Sequence, residues 1–397
     1  MSASRPIVIV TGANGGVGFA VCHRLLIQLT RRDPPDAHHC FNSDEYGEND
    51  VPYEGLTLIM ACRSTVRAEA ARTKLYALLD KEIDRLRRQP DYDGYADSFR
   101  PNVAIEVHYL DLGIMHTVFQ FADAIKAKYP YVSHMVFNAG LASFSGIDWL
   151  AAIKQIAMTP ITAVTTPNFH LQHAGEMSVD GLGWVWQCNL FGHYALFRAL
   201  DELLRRAPPN IGARVIWTTS LDAQPGFYEL DDWQLIKTHH SYGGSKYQMD
   251  LIATHLDRLA LKSSGPTVRH ILSEPGTVTT NIQKALIGDF LDWVKEAIFY
   301  LVRWLGSPHH TVTPYKSAIA VVHLCLISLA FVPSPFNPSN SIPRPIRFSS
   351  QAIGLLGVER VGTTEVKEWE ANEEEGARLL QKCDALYEAF REKEAGP

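Results

Sequence analysis

Tyr242 and Lys246 stand four positions apart in the run Ser241-Tyr242-Gly243-Gly244-Ser245-Lys246. On a helix that spacing puts both side chains on one face, so the ammonium can lie beside the phenol. A free tyrosine has a pKa of about 10, and a fixed cation nearby favours its phenolate and eases proton release. The pair reads as an acid for a developing alkoxide, with a surface Tyr/Lys pair as the alternative. Upstream, Arg214-Val215-Ile216-Trp217-Thr218-Thr219-Ser220 is a strand ending in hydroxyls. Ser220 can donate to a carbonyl oxygen if that strand end and the Tyr242 helix share a crevice. Asn189 lies in an apolar helical stretch from Gly181 to Arg206, where an unsatisfied amide is costly. It reads either as the holder of a water that relays protons to Lys246 or as a buried structural amide.

These groups need elements to position them, and the start of the chain supplies the pattern. Pro6 to Val10 is a buried strand, Thr11-Gly12-Ala13-Asn14-Gly15-Gly16-Val17-Gly18 a glycine-rich turn, and Gly16 to Leu29 a helix. Strand, turn and helix N-terminus form a unit whose free backbone N–H groups and dipole face a phosphate. An ordinary tight turn packing helix on sheet is the other reading. A second run, Leu56 to Ala61, ends in Cys62-Arg63 with no acidic residue to hold a ribose 2′-hydroxyl; Arg63 there suits a 2′-phosphate or a surface salt bridge. Val103 to Leu110 leads to Asp111, read as an adenine contact or a loop cap. Met135-Val136-Phe137 leads to Asn138-Ala139-Gly140, where small residues let a ligand approach the backbone. Thr267 to Ser273 leads to Glu274 and Pro275-Gly276-Thr277-Val278-Thr279-Thr280, which can close over a carboxamide or form a plain turn.

Composition narrows the class. The chain has 397 residues, 46% hydrophobic, and a formal net charge of -6. That suits one elaborated domain and supplies no basic footprint for nucleic acid. Six scattered cysteines show no CxxC pair or metal-ligand spacing, so they read as reduced thiols facing a cytosol, with no metal called for.

Several stretches stand outside this pattern. Residues 31 to 55 read as a polar surface insertion, and Leu141 to Met177 as a long irregular segment walling a pocket. Residues 221 to 240 read as a loop folding outward from the site. Leu286 to Leu305 follows a helical stripe, which fits a pocket roof or an amphipathic helix on a membrane surface. Ala318 to Val332 reads as a core helix, Pro333 to Pro345 as a proline-rich loop, and Thr364 to Glu394 as a docking C-terminal helix.

Together, TGANGGVG at 11–18, NAG at 138–140, Asn189, Ser220, YGGSK at 242–246 and PGTVTT at 275–280 resemble the short-chain dehydrogenase/reductase family. The resemblance covers roughly residues 6–281. It implies a Rossmann-type α/β fold with a doubly wound parallel sheet of about seven strands and a C-terminal helical extension over 282–397. It also implies catalysis by Ser220, Tyr242, Lys246 and Asn189. The cofactor would be held by Gly12, Asn14, Gly16, Val17, Gly18, Arg63, Asp111, Asn138, Tyr242, Lys246, Pro275, Gly276, Val278 and Thr280. NLFGHYAL at 189–196, WTTSLDA at 217–223 and PYKSA at 314–318 look like the 3-keto-steroid reductases of sterol C4 demethylation. That branch implies NADPH, a sterol substrate, association with other enzymes of that route, and the cytosolic face of the endoplasmic reticulum membrane or lipid droplets. A reductase of another lipophilic carbonyl, such as retinal or a 17-ketosteroid, and a catalytically silent scaffold remain alternatives. Oligomeric state stays open.

Overall fold

The computed structural model describes residues 5–38, 53–278, 296–333 and 344–396. The first strand, β1 (Ile7–Thr11), is buried along its whole length, as expected of a parallel strand covered on both faces. Its alternate residues divide between two cores: Ile7 and Ile9 face one, and Val8 and Val10 the other. The remaining strands are β2 (Leu56–Cys62), β3 (Val103–Tyr109), β4 (His134–Phe137), β5 (Phe144–Ile147), β6 (His170–Gln172), β7 (Ala213–Thr218), β8 (Val268–Glu274), β9 (Ile346–Ile353) and β10 (Val358–Glu365).

Eight of them form one sheet in the order β10-β9-β8-β7-β4-β1-β2-β3. Every neighbouring pair from β3 to β9 is parallel, and β10 turns back antiparallel on β9. The order reverses at β1, which has β2 on one side and β4 on the other. Such a switch point opens a crevice at the carboxyl ends of the strands. One face carries the helices Met115–Lys128, Gly192–Arg205, Ser241–Lys262 and Trp369–Ala395. The other carries Gly16–Gln28, Thr65–Leu86 and Ile319–Leu326. The fold is the doubly wound α/β sheet anticipated above.

Three stretches differ from expectation. The seventh parallel strand, β9, comes from beyond residue 281, so the sheet is completed by chain assigned to the extension. Its Arg347, Ser349 and Gln351 are buried, which removes the apolar alternation that would reveal a strand. Residues 141–177 are ordered into the antiparallel pair β5–β6 and the helices Trp149–Met158 and Pro160–Thr165. The apolar run expected as a core helix over Ala318 to Val332 is α-helical only over Ile319–Leu326, where it is buried as foreseen, and ends in a half-exposed 3-10 turn, Leu329–Phe331. Residues 279–295, which include Thr280 and the first half of the stripe beginning at Leu286, lie outside the described residues.

The C-terminal helix secures the Ser241–Lys262 helix. Tyr247 donates its hydroxyl to Lys367 O at 2.9 Å, His255 Nε2 lies 2.6 Å from Glu373 O, and Gly376 faces the His255 ring. Leu379 is 1% exposed in the same core. Leu379→Ala is expected to cost about 3 kcal/mol, read as a lower urea midpoint at unchanged m-value.

Candidate active site

The carboxyl ends of β1, β2, β4, β7 and β8 open into a cavity of about 1030 Å³. Gly12, Asn14, Gly16 and Val17 of the glycine-rich turn line it, together with Arg63, Asp111, Asn138, Ser220, Tyr242, Lys246, Pro275, Gly276 and Val278. Gly18 and Asn189 stand behind this lining, and Thr280 lies outside the described residues.

The turn is shaped by close approach. Gly12 has φ +67°, and a Cβ on Gly18 would come within 2.4 Å of Gly12 O and 2.5 Å of Asn138 Nδ2. The Thr11 hydroxyl organises the adjoining strand ends by accepting from Asn138 N at 2.9 Å and Ala139 N at 3.0 Å. It also lies 2.9 Å from His193 Nε2, while His193 Nδ1 is 3.0 Å from Asn189 O. Only a proton on Nδ1 satisfies that carbonyl, so Nε2 accepts from Thr11. Burial pushes the His193 pKa down to about 3 and keeps the ring neutral. Asn138 Nδ2 in turn donates to Thr11 O at 3.1 Å.

Asn189 sits in a π-helical turn, Gln187–Phe191, a local distortion frequent at functional sites. Its Oδ1 accepts from Leu141 N at 2.8 Å, and its Nδ2 donates to Leu141 O at 2.9 Å and Ser245 Oγ at 3.0 Å. The side chain considered for a relay water is bonded to the Leu141 backbone and the Ser245 hydroxyl. Asn189 acts here as a positioning residue that ties the NAG loop to the Tyr242 helix.

Tyr242, Ser220 and Lys246 converge in the cavity, but their electrostatics differ from the sequence reading. Burial, followed by the Asp222 carboxylate, pushes the Tyr242 phenol up to about 12, and a hydrogen bond from Ser220 works against this. The Lys246 ammonium stands 5.9 Å from the Tyr242 ring centroid and donates to Thr218 O at 2.6 Å. Burial dominates the phenol, so Tyr242 is protonated at neutral pH and ready to give that proton away. Burial lowers Lys246 to about 8, opposed by Asp250. Ser220 Oγ accepts from Asp222 N at 3.2 Å.

The loop over 221–240 lies across the first turns of the Tyr242 helix instead of folding outward. Gly243 and Gly244 make this possible: a Cβ on either would meet Asp222 O or Phe227 within 2.8 Å. Asp111 lines the cavity and accepts from Gly113 N at 3.0 Å, which is the loop cap considered for it. The Pro275 to Val278 segment is braced from the C-terminal region, with Thr277 N donating to His309 O at 2.7 Å. Sequence reasoning missed Gln172, whose Oε1 accepts from Ser241 Oγ at 2.9 Å and Tyr242 N at 2.8 Å. It caps the catalytic helix from β6, where His240 offers no side-chain cap. Asp222 and Arg67 of the lining were missed too; only their place in the fold, beside Tyr242 and one turn after Arg63, marks them.

The residues fit a nicotinamide dinucleotide. The Gly12–Gly18 turn is kept tight by the close approach of Gly18 to Gly12 O and Asn138 Nδ2, the adjacent helix N-terminus suits a pyrophosphate, and Lys246 lines the same cavity. Gly18→Ala is expected to weaken dinucleotide binding at least about tenfold, measured by titration of cofactor fluorescence, with the circular dichroism spectrum retained.

No protein-family model matches the sequence. Among curated proteins, the 3-keto-steroid reductase erg27 of Schizosaccharomyces pombe is 30% identical over 395 residues, 98% of each chain. The 3-keto-steroid reductase of Kluyveromyces lactis is 29% identical over 331 residues, covering 83% of this chain and 82% of its own. Of solved structures, an uncharacterised protein from Mycobacterium paratuberculosis superposes with TM-score 0.54 at 19% identity, over 97% of this chain and 94% of that one. Pseudomonas aeruginosa RhlG, solved with NADP, gives TM-score 0.51 at 16% identity, over 87% and 96%. These two likenesses speak to the fold. The chain belongs to the short-chain dehydrogenase/reductase family of oxidoreductases, and the curated relatives it matches are 3-keto-steroid reductases.

Proposed function

We propose that this enzyme uses NADPH to reduce the C3 ketone of a 4-demethylated sterol intermediate to the 3β-alcohol. The observation that carries the reading is the course of the cavity. Beyond Ser220 and Tyr242 it continues between Phe144, Ile147, Trp149, Ile156, Phe169 and Phe299. An apolar chamber of that kind suits a rigid, nearly insoluble tetracycle. Arg63 and Arg67, both exposed and with no carboxylate between Ala61 and Arg67, favour a 2′-phosphate and hence NADPH.

The cofactor, when bound, supplies the hydride that the carbonyl carbon accepts. Ser220 donates a hydrogen bond to the carbonyl oxygen, and Tyr242 transfers its phenolic proton to that oxygen as negative charge develops there. The products are the alcohol and the oxidised cofactor. Lys246 keeps a positive charge beside Tyr242, which favours the phenolate left after transfer. Purified protein is expected to consume NADPH with a 3-keto sterol, and Tyr242→Phe to lose about 10²–10⁴ of that rate without a lower melting temperature. Turnover of retinal or a 17-ketosteroid in place of the 3-keto sterol would overturn the substrate assignment.

We further propose that the protein works on the cytosolic face of the endoplasmic reticulum membrane or on lipid droplets, next to the other enzymes of sterol C4 demethylation. Among the described residues no helix is long and apolar enough to cross a membrane. The Trp149–Met158 helix nonetheless exposes Leu150 (82%) and Ile153 (64%) beside the cavity-lining Trp149 and Ile156, which suits shallow insertion beside the opening. The double variant Leu150→Glu/Ile153→Glu should lose sedimentation with phosphatidylcholine vesicles while still oxidising NADPH with a detergent-dispersed ketone. Full retention on vesicles would count against this docking face.

A further inference from the structure

Behind the catalytic helix lies a set of buried charges that the reaction described above does not use. Asp250 follows Lys246 by one helical turn, so their side chains share a face. Its carboxylate, 0% exposed, is ion-paired through Oδ2 to Nη2 of Arg347, which is 2% exposed. Arg347 comes from β9, and its Nη1 also lies 3.9 Å from Glu274 Oε2. Glu274 accepts from Ser349 Oγ at 3.0 Å and Thr364 Oγ1 at 3.3 Å. The hairpin β9–β10 thus brings a guanidinium and two hydroxyls to carboxylates carried by the catalytic helix and by the strand leading into Pro275.

Burying charges in this way is an expensive route to stability alone, since apolar residues of similar volume often serve as well. Placement next to Lys246 suggests a second role. We propose that the Arg347–Asp250 pair is a positioning device for Lys246: Arg347 keeps Asp250 ionised, and Asp250 keeps the catalytic ammonium charged in a site that burial would otherwise discharge. The proposal rests on the reading of Lys246 as part of the reaction centre.

The surroundings support the direction of the effect. Burial drives Lys246 down to about 8, and Asp250 is the charge that raises it again. Burial pushes the Asp250 carboxyl up, with Arg347 the chief group holding it down. Tyr242 on its own helix and the buried His193 also face Lys246, while Glu274 on β8 and Lys367 after β10 face the Asp250–Arg347 pair. His193 is neutral at working pH, and Tyr242 is protonated. Lysine is charged below its pKa and neutral above it. Removing the Asp250 charge therefore moves loss of the ammonium to lower pH.

Two variants test this. Asp250→Asn/Arg347→Gln removes both charges together, and Asp250→Asn alone leaves Arg347 its contact with Glu274. The pKa of Lys246 is read in the cofactor-free protein from pH-dependent labelling by an amine reagent, quantified by mass spectrometry. This measurement is independent of which ketone is the substrate. Both variants are expected to lower the labelling midpoint by about one to three units and to bring forward the alkaline decline of kcat/KM by the same amount. Arg347→Lys alone, which keeps both charges of the pair, should leave the midpoint near its wild-type value. A folded variant lacking the Asp250 charge that labels Lys246 at the wild-type midpoint overturns the proposal and leaves the pair as a staple between strand and helix.

Discussion

The hydrogen bond from the Lys246 ammonium to Thr218 O, 2.6 Å long and buried, joins the catalytic helix to the last residue of β7. It places Ser220, two residues past that carbonyl, within reach of Tyr242 one turn back on the helix. Thr219 reinforces the join by donating from Oγ1 to Lys246 O at 3.4 Å and from its N–H to Ser273 O at 2.8 Å. Two strand ends and one helix are thereby held in register around a cation that burial disfavours. The surrounding architecture can be understood as support for that cation.

The support comes from several directions. Gln172 caps the helix from the β5–β6 pair, Asn189 ties it to the NAG loop through Ser245, and the C-terminal helix covers its outer side. Polar satisfaction is close to complete at each point, which matters because an unpaired buried amide or carbonyl costs about 1–3 kcal/mol. The cavity can therefore be wide and largely apolar on the substrate side without loosening the reacting groups. Its apolar wall is built from a different part of the chain, residues 144–169 and 298–299, so substrate shape and proton chemistry are carried by separate segments.

Much of this was legible in the residues. The runs Ile7 to Val10 and Met135 to Phe137 declared buried strands, because parallel strands covered on both faces need continuous apolar sequence. The TGANGGVG turn and the four-residue spacing of Tyr242 and Lys246 also encode their geometry locally. What escaped was non-local. β9 was hidden because Arg347, Ser349 and Gln351 make it look like surface, although Asp250, Glu274 and Arg360 pair with those side chains in the interior. The 141–177 segment looked irregular because its two strands are only three and four residues long, too short for a period to show. The 221–240 loop looked like an outward insertion because nothing in its own residues indicates the groove left by Gly243 and Gly244.

The sequence by itself therefore determined most of the parallel strands with their helices, the glycine-rich turn and the shared helix face of Tyr242 and Lys246, since each depends on spacing within one turn, strand or helix. Only the tertiary structure decided the charge balance of the site. Whether Tyr242 is pushed up or down depends on how deeply it is buried and how near Asp222 and Ser220 come. Whether Lys246 stays an ammonium depends on Asp250 and on an arginine from a strand about a hundred positions later in the chain. Electrostatic energies follow distance and dielectric, and neither is written in the order of residues along the chain.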